Sequence, residues 1–306
     1  MNINSILAVS DLSPAGNHAI DRAAILAVEH DAVLRLMYAA APDHSQVDAA
    51  ARLRQMAEQT SQRSGVTVQA VSRTAEAIEQ LAEEARFDDL LVISHRREPL
   101  LSAFFRGVRT ERLTRLCRCP VLVTKLEAKK RYGRILVAVD FTDTSKALAN
   151  LAFGLDSDAE VELFHAISTR DEAKLRSAEA TEHAIKAYRD RTRFQAHERM
   201  LWLTDSSDAR RNRVMSAVGR GDPARQAAVQ QEYGGADLIV VGKRRRSAVA
   251  DFFCGSVAQR LLPWATSDVL VVPHDHRSST RVAAKRTKVE HGAAQGAFLS
   301  TKGNAL

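Results

Sequence analysis

The sequence predicts an α/β fold of two tandem doubly wound domains, each a five-stranded parallel sheet flanked by helices. Three observations carry this. Four segments recur in the same order in the two halves of the 306-residue chain. The strand-like segments are short, nearly continuous Val/Ile/Leu runs without polar alternation, as expected when helices cover both faces of a sheet. Between them lie Ala-rich stretches of helical composition, and strand, crossover helix and parallel strand repeated give a doubly wound sheet.

The repeat can be followed element by element. ILAVSDLS (Ile6 to Ser13) returns as ILVAVDFTDTS (Ile135 to Ser145), which matches Asp11 with Asp140 at an offset of 129. DAVLRLMYA from Asp31 pairs with DAEVELFHA from Asp158. DDLLVIS, ending at Ser94, pairs with ADLIVVG, ending at Gly242, and PVLVT at Pro120 pairs with DVLVV at Asp268. The last two pairs share an offset of 148, so the second copy carries about 20 extra residues. Strands are expected near 4–10, 32–39, 66–71, 89–94 and 120–125, and again near 134–139, 159–166, 213–218, 237–242 and 268–273. Helices are expected in AIDRAAILAVEH after Asp11 and in AEAIEQLAEEA before the fourth strand. The extra segment, about 168–212, is charged and helix-forming and reads as a solvated helix lying over the domain. The boundaries expected are 1–128 and 131–275 for the two domains and 276–306 for a basic, disordered tail.

Composition excludes several classes. No apolar run reaches the length a membrane helix needs, and the N-terminus lacks a basic region ahead of an apolar one, so a cytoplasmic protein is expected. Cys117, Cys119 and Cys254 are too few for a disulfide framework. Cys117 and Cys119 read as a helix-end pair facing core and surface, not as a metal half-site, and no metal is expected. Neither a G-x-G-x-x-G after a strand nor a G-x4-G-K-[ST] occurs, and there is no G-x-S-x-G elbow. Asp11 and Asp140 each stand alone at a strand end, without the acidic pair of a phospho-receiver. His165 is a lone histidine at a strand end, read as packed, and no catalytic residue is assigned.

In an open α/β sheet, ligands sit beyond the carboxyl ends of the strands, where the strand order reverses. Asp11, Asp140, Ser94 and Gly242 lie at such ends. The most specific stretch follows Gly242: a loop of some twelve residues, then Gly255-Ser256 opening a helix. A strand-end glycine permits close backbone approach, and a helix N-terminus offers free N–H groups to phosphate. Ser256 adds a hydroxyl donor or caps the helix.

These residues resemble those of the universal stress protein family, in the tandem form of bacterial UspE-like members, over about residues 1–275. The resemblance implies a strand order of 3-2-1-4-5 in each domain, and pairing of the domains through their last strands as an intramolecular pseudo-dimer. It implies a non-catalytic role in stress response. Nucleotide-binding members carry G-x2-G-x9-G-[ST], matched here by Gly242 and by Gly255-Ser256. They also carry a strand-end aspartate on the adenine-ribose side, matched by Asp140. By the same resemblance Ala166 and Val257 offer backbone contacts to base and phosphate, and the turn Gly221-Asp222-Pro223 is typical. ATP or another adenine nucleotide is the implied cofactor, with homodimerisation and an unnamed protein partner as further implications. The alternatives are a slow ATP hydrolase and a scaffold without a working nucleotide site.

The chain departs from the motif at its second glycine, where Arg245 stands. Copy one departs further: it keeps Asp11, but Ser94, Arg97 and Gly107-Val108 replace the motif. An arginine in place of glycine either fills the phosphate position or supplies a donor fork suited to phosphate. Both loops are basic at matched positions, His95-Arg96-Arg97 and Lys243 to Arg246.

The net charge of +7 is uneven. Residues 1–130 hold 17 Lys/Arg and 16 Asp/Glu, residues 131–275 hold 21 and 20, and residues 276–306 hold 6 and 1. The two domains are thus nearly neutral and the tail carries +5. A nucleic-acid-binding fold is therefore not expected, nor a membrane partner, and the tail has only Phe298 to stack on bases.

Overall fold

The computed structural model describes residues 3–39, 48–95, 112–114, 116–205, 214–243 and 257–273. Copy one runs β1 (Ser5–Ser10), α1 (Pro14–His30), β2 (Val33–Tyr38), α2 (Ala49–Ser64), β3 (Val68–Ala70), α3 (Ile78–Glu84), β4 (Leu90–Ser94) and β5 (Val121–Thr124). Copy two runs β6 (Arg134–Ala138), α4 (Thr144–Leu155), β7 (Glu160–Ile167), α5 (Arg170–Ser177), α6 (Glu182–Thr204), β8 (Met215–Arg220), α7 (Pro223–Gly234), β9 (Leu238–Lys243), α8 (Val257–Trp264) and β10 (Asp268–Pro273). All ten expected strands are present, each within two residues of its expected start.

The strands join into one sheet in the order β3-β2-β1-β4-β5-β10-β9-β6-β7-β8. Each half has the order 3-2-1-4-5, parallel throughout. The halves meet antiparallel, Val123 opposite Val269, Leu122 opposite Leu270 and Val121 opposite Val271. Because the sheet is continuous, so is the packing on each face. One face buries Ile6, Leu34, Leu122, Ile135, Leu163, Val240 and Leu270 in a single cluster under α1, α2, α4 and α6. The other buries Leu7, Ile93, Val123, Leu136, Ile239 and Val271 under α3, α7 and α8. The expected uninterrupted apolar strands follow from this two-sided cover. Full burial of each such side chain is worth about 1.5–3 kcal/mol.

Helix ends are set by local chemistry. Ser13 caps α1 by accepting from Gly16 N at 3.1 Å, Thr181 caps α6 through Ala184 N at 3.3 Å, and Asp222 caps α7 through Arg225 N at 3.1 Å. Each cap is worth about 1 kcal/mol. Helices α2 and α7 stop at Gly65 and Gly235, both in left-handed backbone that glycine adopts without strain. The insertion forms two helices: α5, and the 23-residue α6, which packs Ile185, Ala196, Met200 and Leu203 inward. Residues 206–212 of it lie outside the described residues.

The linker between the copies is tied down by buried charge. Asp268, fully buried at the start of β10, accepts through Oδ1 from the amides of Lys125 (2.7 Å) and Leu126 (2.9 Å). Its Oδ2 accepts from the Tyr132 hydroxyl at 2.7 Å and lies 3.3 Å from Arg22 Nε of α1. Arg22 also donates to Lys130 O at 2.7 Å and stacks on the Tyr132 ring at 4.0 Å. Burial, then the negative charge of Asp268, push the Tyr132 hydroxyl well above its ordinary value. The repeat places Pro120 at the matching position of copy one, so the tie exists once.

One expectation needs correcting. Cys117 and Cys119 are both buried, 4% and 6% exposed, so neither faces the surface. The chain enters β5 between the two halves of the sheet, where solvent reaches neither side. The hydrogen bond with neighbouring Cys117, then burial, raises the Cys119 thiol well above its usual range, and Cys254 lies outside the described residues.

Candidate functional site

The strand order reverses between β6 and β9 in copy two and between β1 and β4 in copy one. Asp140 lies two residues beyond β6 and Gly242 near the end of β9, so both stand at the carboxyl ends of the two paired strands. Oδ1 of Asp140 accepts from Thr142 N at 3.1 Å, from the Thr142 hydroxyl, and from the Ser145 hydroxyl at 3.2 Å. Phe141, between them, is in left-handed backbone at φ 58°. Copy one repeats the turn: Oδ1 of Asp11 accepts from Ser13 N at 3.1 Å and from the Ser13 hydroxyl, with Leu12 at φ 62°. An Asp-x-[Ser/Thr] turn thus locks each strand-end carboxylate in place. In copy one, a Cβ on Gly16 would sit 2.7 Å from Asp11 Oδ1; Ser145 is the counterpart in copy two.

A cluster that the sequence did not single out surrounds Asp140. The Phe141 and His165 rings pack with centroids 4.1 Å apart. Nδ1 of His165 lies 2.8 Å from Val139 O. A carbonyl only accepts, so that nitrogen carries the hydrogen. Burial lowers His165 from its ordinary value and Arg199 lowers it further, against the Val139 bond and Asp140, which raise it. Arg199, exposed on α6, stands over the Phe141 ring at 5.9 Å. Phe141 follows the aspartate directly, but Arg199 is one of many basic residues in the insertion and carried no sequence signal.

The remaining candidates occupy distinct places. Ala166 is buried in β7 opposite Gly219 of β8. Gly242 pairs with Val272, and a Cβ there would meet Leu148 Cδ1 at 3.0 Å, so packing by α4 leaves it little room. Val257 is half-buried at the first turn of α8. The Gly221-Asp222-Pro223 turn is joined to α8 by Arg260, which pairs with Asp222. Burial pushes the Asp222 carboxyl up, but the Arg260 pair and the amides of Arg225 and Ala224 outweigh it and leave the group lowered. Arg245, Gly255 and Ser256 in copy two lie outside the described residues, as do Arg97 and Gly107 in copy one. Lys243 donates to Thr114 Oγ1 at 3.3 Å, which links the end of β9 to copy one.

Copy one differs in the same region. Ser94, the counterpart of Gly242, is buried beside Thr124. Tyr38, the counterpart of His165, is buried, and burial followed by the charge of Asp11 raises its hydroxyl. A cleft of about 200 Å³ lies elsewhere, between α1 and α2, lined by Asn17, Ile20, Asp21, Met56, Gln59, Thr60 and Arg63. Among the described residues no cluster of three or more His, Cys, Asp or Glu could hold a metal, and no helix is long and apolar enough to cross a membrane.

Comparison with known proteins agrees with this architecture. The functionally unknown protein PA1789 from Pseudomonas aeruginosa PAO1 is similar in structure, with a TM-score of 0.63 and 21% identity, covering 96% of this chain and 98% of its own. A universal stress protein from Archaeoglobus fulgidus DSM 4304 follows at a TM-score of 0.61 and 15% identity, covering 88% of this chain and 98% of that one. At these identities the likeness shows the fold. The universal stress protein Sll1388 from Synechocystis is 25% identical over 153 residues, 47% of this chain and 99% of its own. The sequence profile described as the universal stress protein family matches twice, over residues 2–125 and 131–273, so the chain belongs to that family.

Proposed function

We propose that the protein is a non-catalytic stress-response regulator whose second domain binds an adenine nucleotide, or another anion, in the crevice between β6 and β9. The observation that supports this most directly is the locked Asp140 turn at the end of β6, beside the β9 end that carries Gly242, where strand order reverses. An aspartate held by three hydrogen bonds on one oxygen is preorganised, so little ordering cost remains for a ligand hydroxyl. We assign Asp140, Ala166, Gly242, Arg245, Gly255, Ser256 and Val257 to this site, and treat Asp11, Arg97 and Gly107 as its degenerate counterpart. The domains are 1–128 and 131–275, with 276–306 a basic tail, and the compartment is the cytoplasm.

Calorimetric titration with ATP, with mass spectrometry of the native protein for co-purified nucleotide, tests the reading. Binding that Asp140→Ala removes and Asp11→Ala leaves in place supports it. No binding and no co-purified nucleotide overturns it in favour of a scaffold. Turnover of ATP lost in Asp140→Ala overturns the non-catalytic part in favour of a hydrolase. Saturating nucleotide at a hundredfold excess over its Kd should stabilise the fold by about 2.7 kcal/mol.

A further inference from the structure

We propose that Arg199, carried on the insertion helix α6, is a specificity-determining residue of the second-copy site: its guanidinium and the Phe141–His165 ring pair form a clamp for the planar base of an anionic nucleotide. The inference rests on the nucleotide reading above and goes beyond it by naming a residue outside the family's motif.

Three independent elements bring their side chains to one point. Phe141 follows β6, His165 lies in β7, and Arg199 lies on α6. The Phe141 backbone sits at φ 58°, a conformation costly for a bulky residue, yet the position holds an aromatic ring. His165 braces that ring at 4.1 Å and is itself held by Val139 O at 2.8 Å. The platform is therefore rigid, while Arg199 is exposed and long.

The spacing suits a flat ligand. The guanidinium is 5.9 Å from the ring centroid, beyond direct stacking contact. A base between two planes needs about 7 Å, two contacts of about 3.5 Å each. The arginine need withdraw by only about 1 Å, which one rotamer change in an exposed side chain provides. Asp140 stands beside the platform, adjacent to Phe141 in sequence, where it can accept from hydroxyls of the same ligand. A guanidinium stacks on a base through its plane and adds positive charge near an anionic ligand, which an ammonium cannot do as well. Copy one has Leu12 and a buried Tyr38 at the matching positions, so it lacks the platform.

Calorimetric titration of the full chain with ATP tests the clamp, with far-ultraviolet circular dichroism as the folding control. Arg199→Ala and Phe141→Leu should each weaken ATP binding about tenfold, and Arg199→Lys should recover less than half of that loss in free energy. The double variant Phe141→Leu/Arg199→Ala should lose no more than the worse single variant. If ATP binds and Asp140→Ala abolishes it while Arg199→Ala binds as wild type does, the clamp is wrong and the nucleotide site stands. Full recovery in Arg199→Lys reduces Arg199 to a charge and overturns the clamp. Wild type that does not bind ATP overturns both readings.

Discussion

Replacing Asp268 should unfasten the two copies from each other. Its carboxylate is fully buried and faces four donors: two linker amides, the Tyr132 hydroxyl and the Arg22 guanidinium. Asp268→Asn keeps the shape but turns one acceptor oxygen into an NH2 group that meets a donor. Arg22, 4% exposed, then keeps its charge without a counter-charge. Breaking a buried ion pair from one side costs about 3–5 kcal/mol. At 2–4 °C per kcal/mol for a chain of this size, the melting temperature should fall by about 10 °C. Urea unfolding followed by circular dichroism reads the loss. Asp237 is the comparison: it also accepts from two amides, Gly133 N at 2.8 Å and Arg134 N at 3.2 Å, but it is only half-buried. Asp237→Asn should cost about 1 kcal/mol. The pair Arg22→Met/Asp268→Leu should lose clearly less than the sum of its parts, because no charge is then stranded. A loss below about 1 kcal/mol in Asp268→Asn, or strict additivity in the pair, refutes the account.

Three further outcomes follow from the same structure. Gly242→Ala should destabilise by about 1–3 kcal/mol because its Cβ would press on Leu148 at 3.0 Å, and Leu148→Ala should relieve that strain; urea midpoints that show no relief contradict it. Burial pushes Asp88 up from 3.8 to about 6, with Arg35 pulling against it. The folded chain then holds the proton more tightly than the unfolded one. Stability from this group is complete below about pH 4 and is lost as pH rises through 6, about 3 kcal/mol in all. From pH 7 to pH 5 wild type should gain about 1 kcal/mol relative to Asp88→Asn, a comparison in which the opposing effects of His30 and His165 cancel; parallel pH profiles would count against it. Asp31 ends α1 at φ 50°, ψ 42°, so Asp31→Gly should stabilise by about 0.5–1 kcal/mol, readable as a raised melting temperature.

The fold was legible in the sequence because its cause is one-dimensional. A two-sided parallel sheet writes each strand as a bare Val/Ile/Leu run, and duplication writes every run twice. Pairing of the domains through β5 and β10 followed from the family resemblance. The site was legible only where chemistry is local: the Asp140 turn uses Thr142 and Ser145, two and five residues on. Asp268, Arg22 and Tyr132 were not legible, since their partners lie 108 to 246 residues away in sequence and each reads alone as an ordinary strand, helix or linker residue. Arg199 was hidden for the opposite reason, among neighbours of the same charge. Gly242 shows a third case. The motif assigns it to phosphate, yet the structure gives it a packing duty to Leu148, and both need the same missing Cβ.

The differences between the copies have a common direction. Copy two holds Phe141, His165, Gly242 and Asp268 where copy one holds Leu12, Tyr38, Ser94 and Pro120. Copy two depends on copy one for its packing. Strand β10 is buried along five of its six residues, and without β5 it would be an apolar edge strand with open backbone groups. Such an edge invites pairing with another chain. Copy one closes it with three matched residue pairs of Val and Leu, extends both core clusters across the join, and contributes Arg22 to the tie at Asp268. A domain that departs further from the family's nucleotide motif can therefore still be required, as the permanent partner of the other.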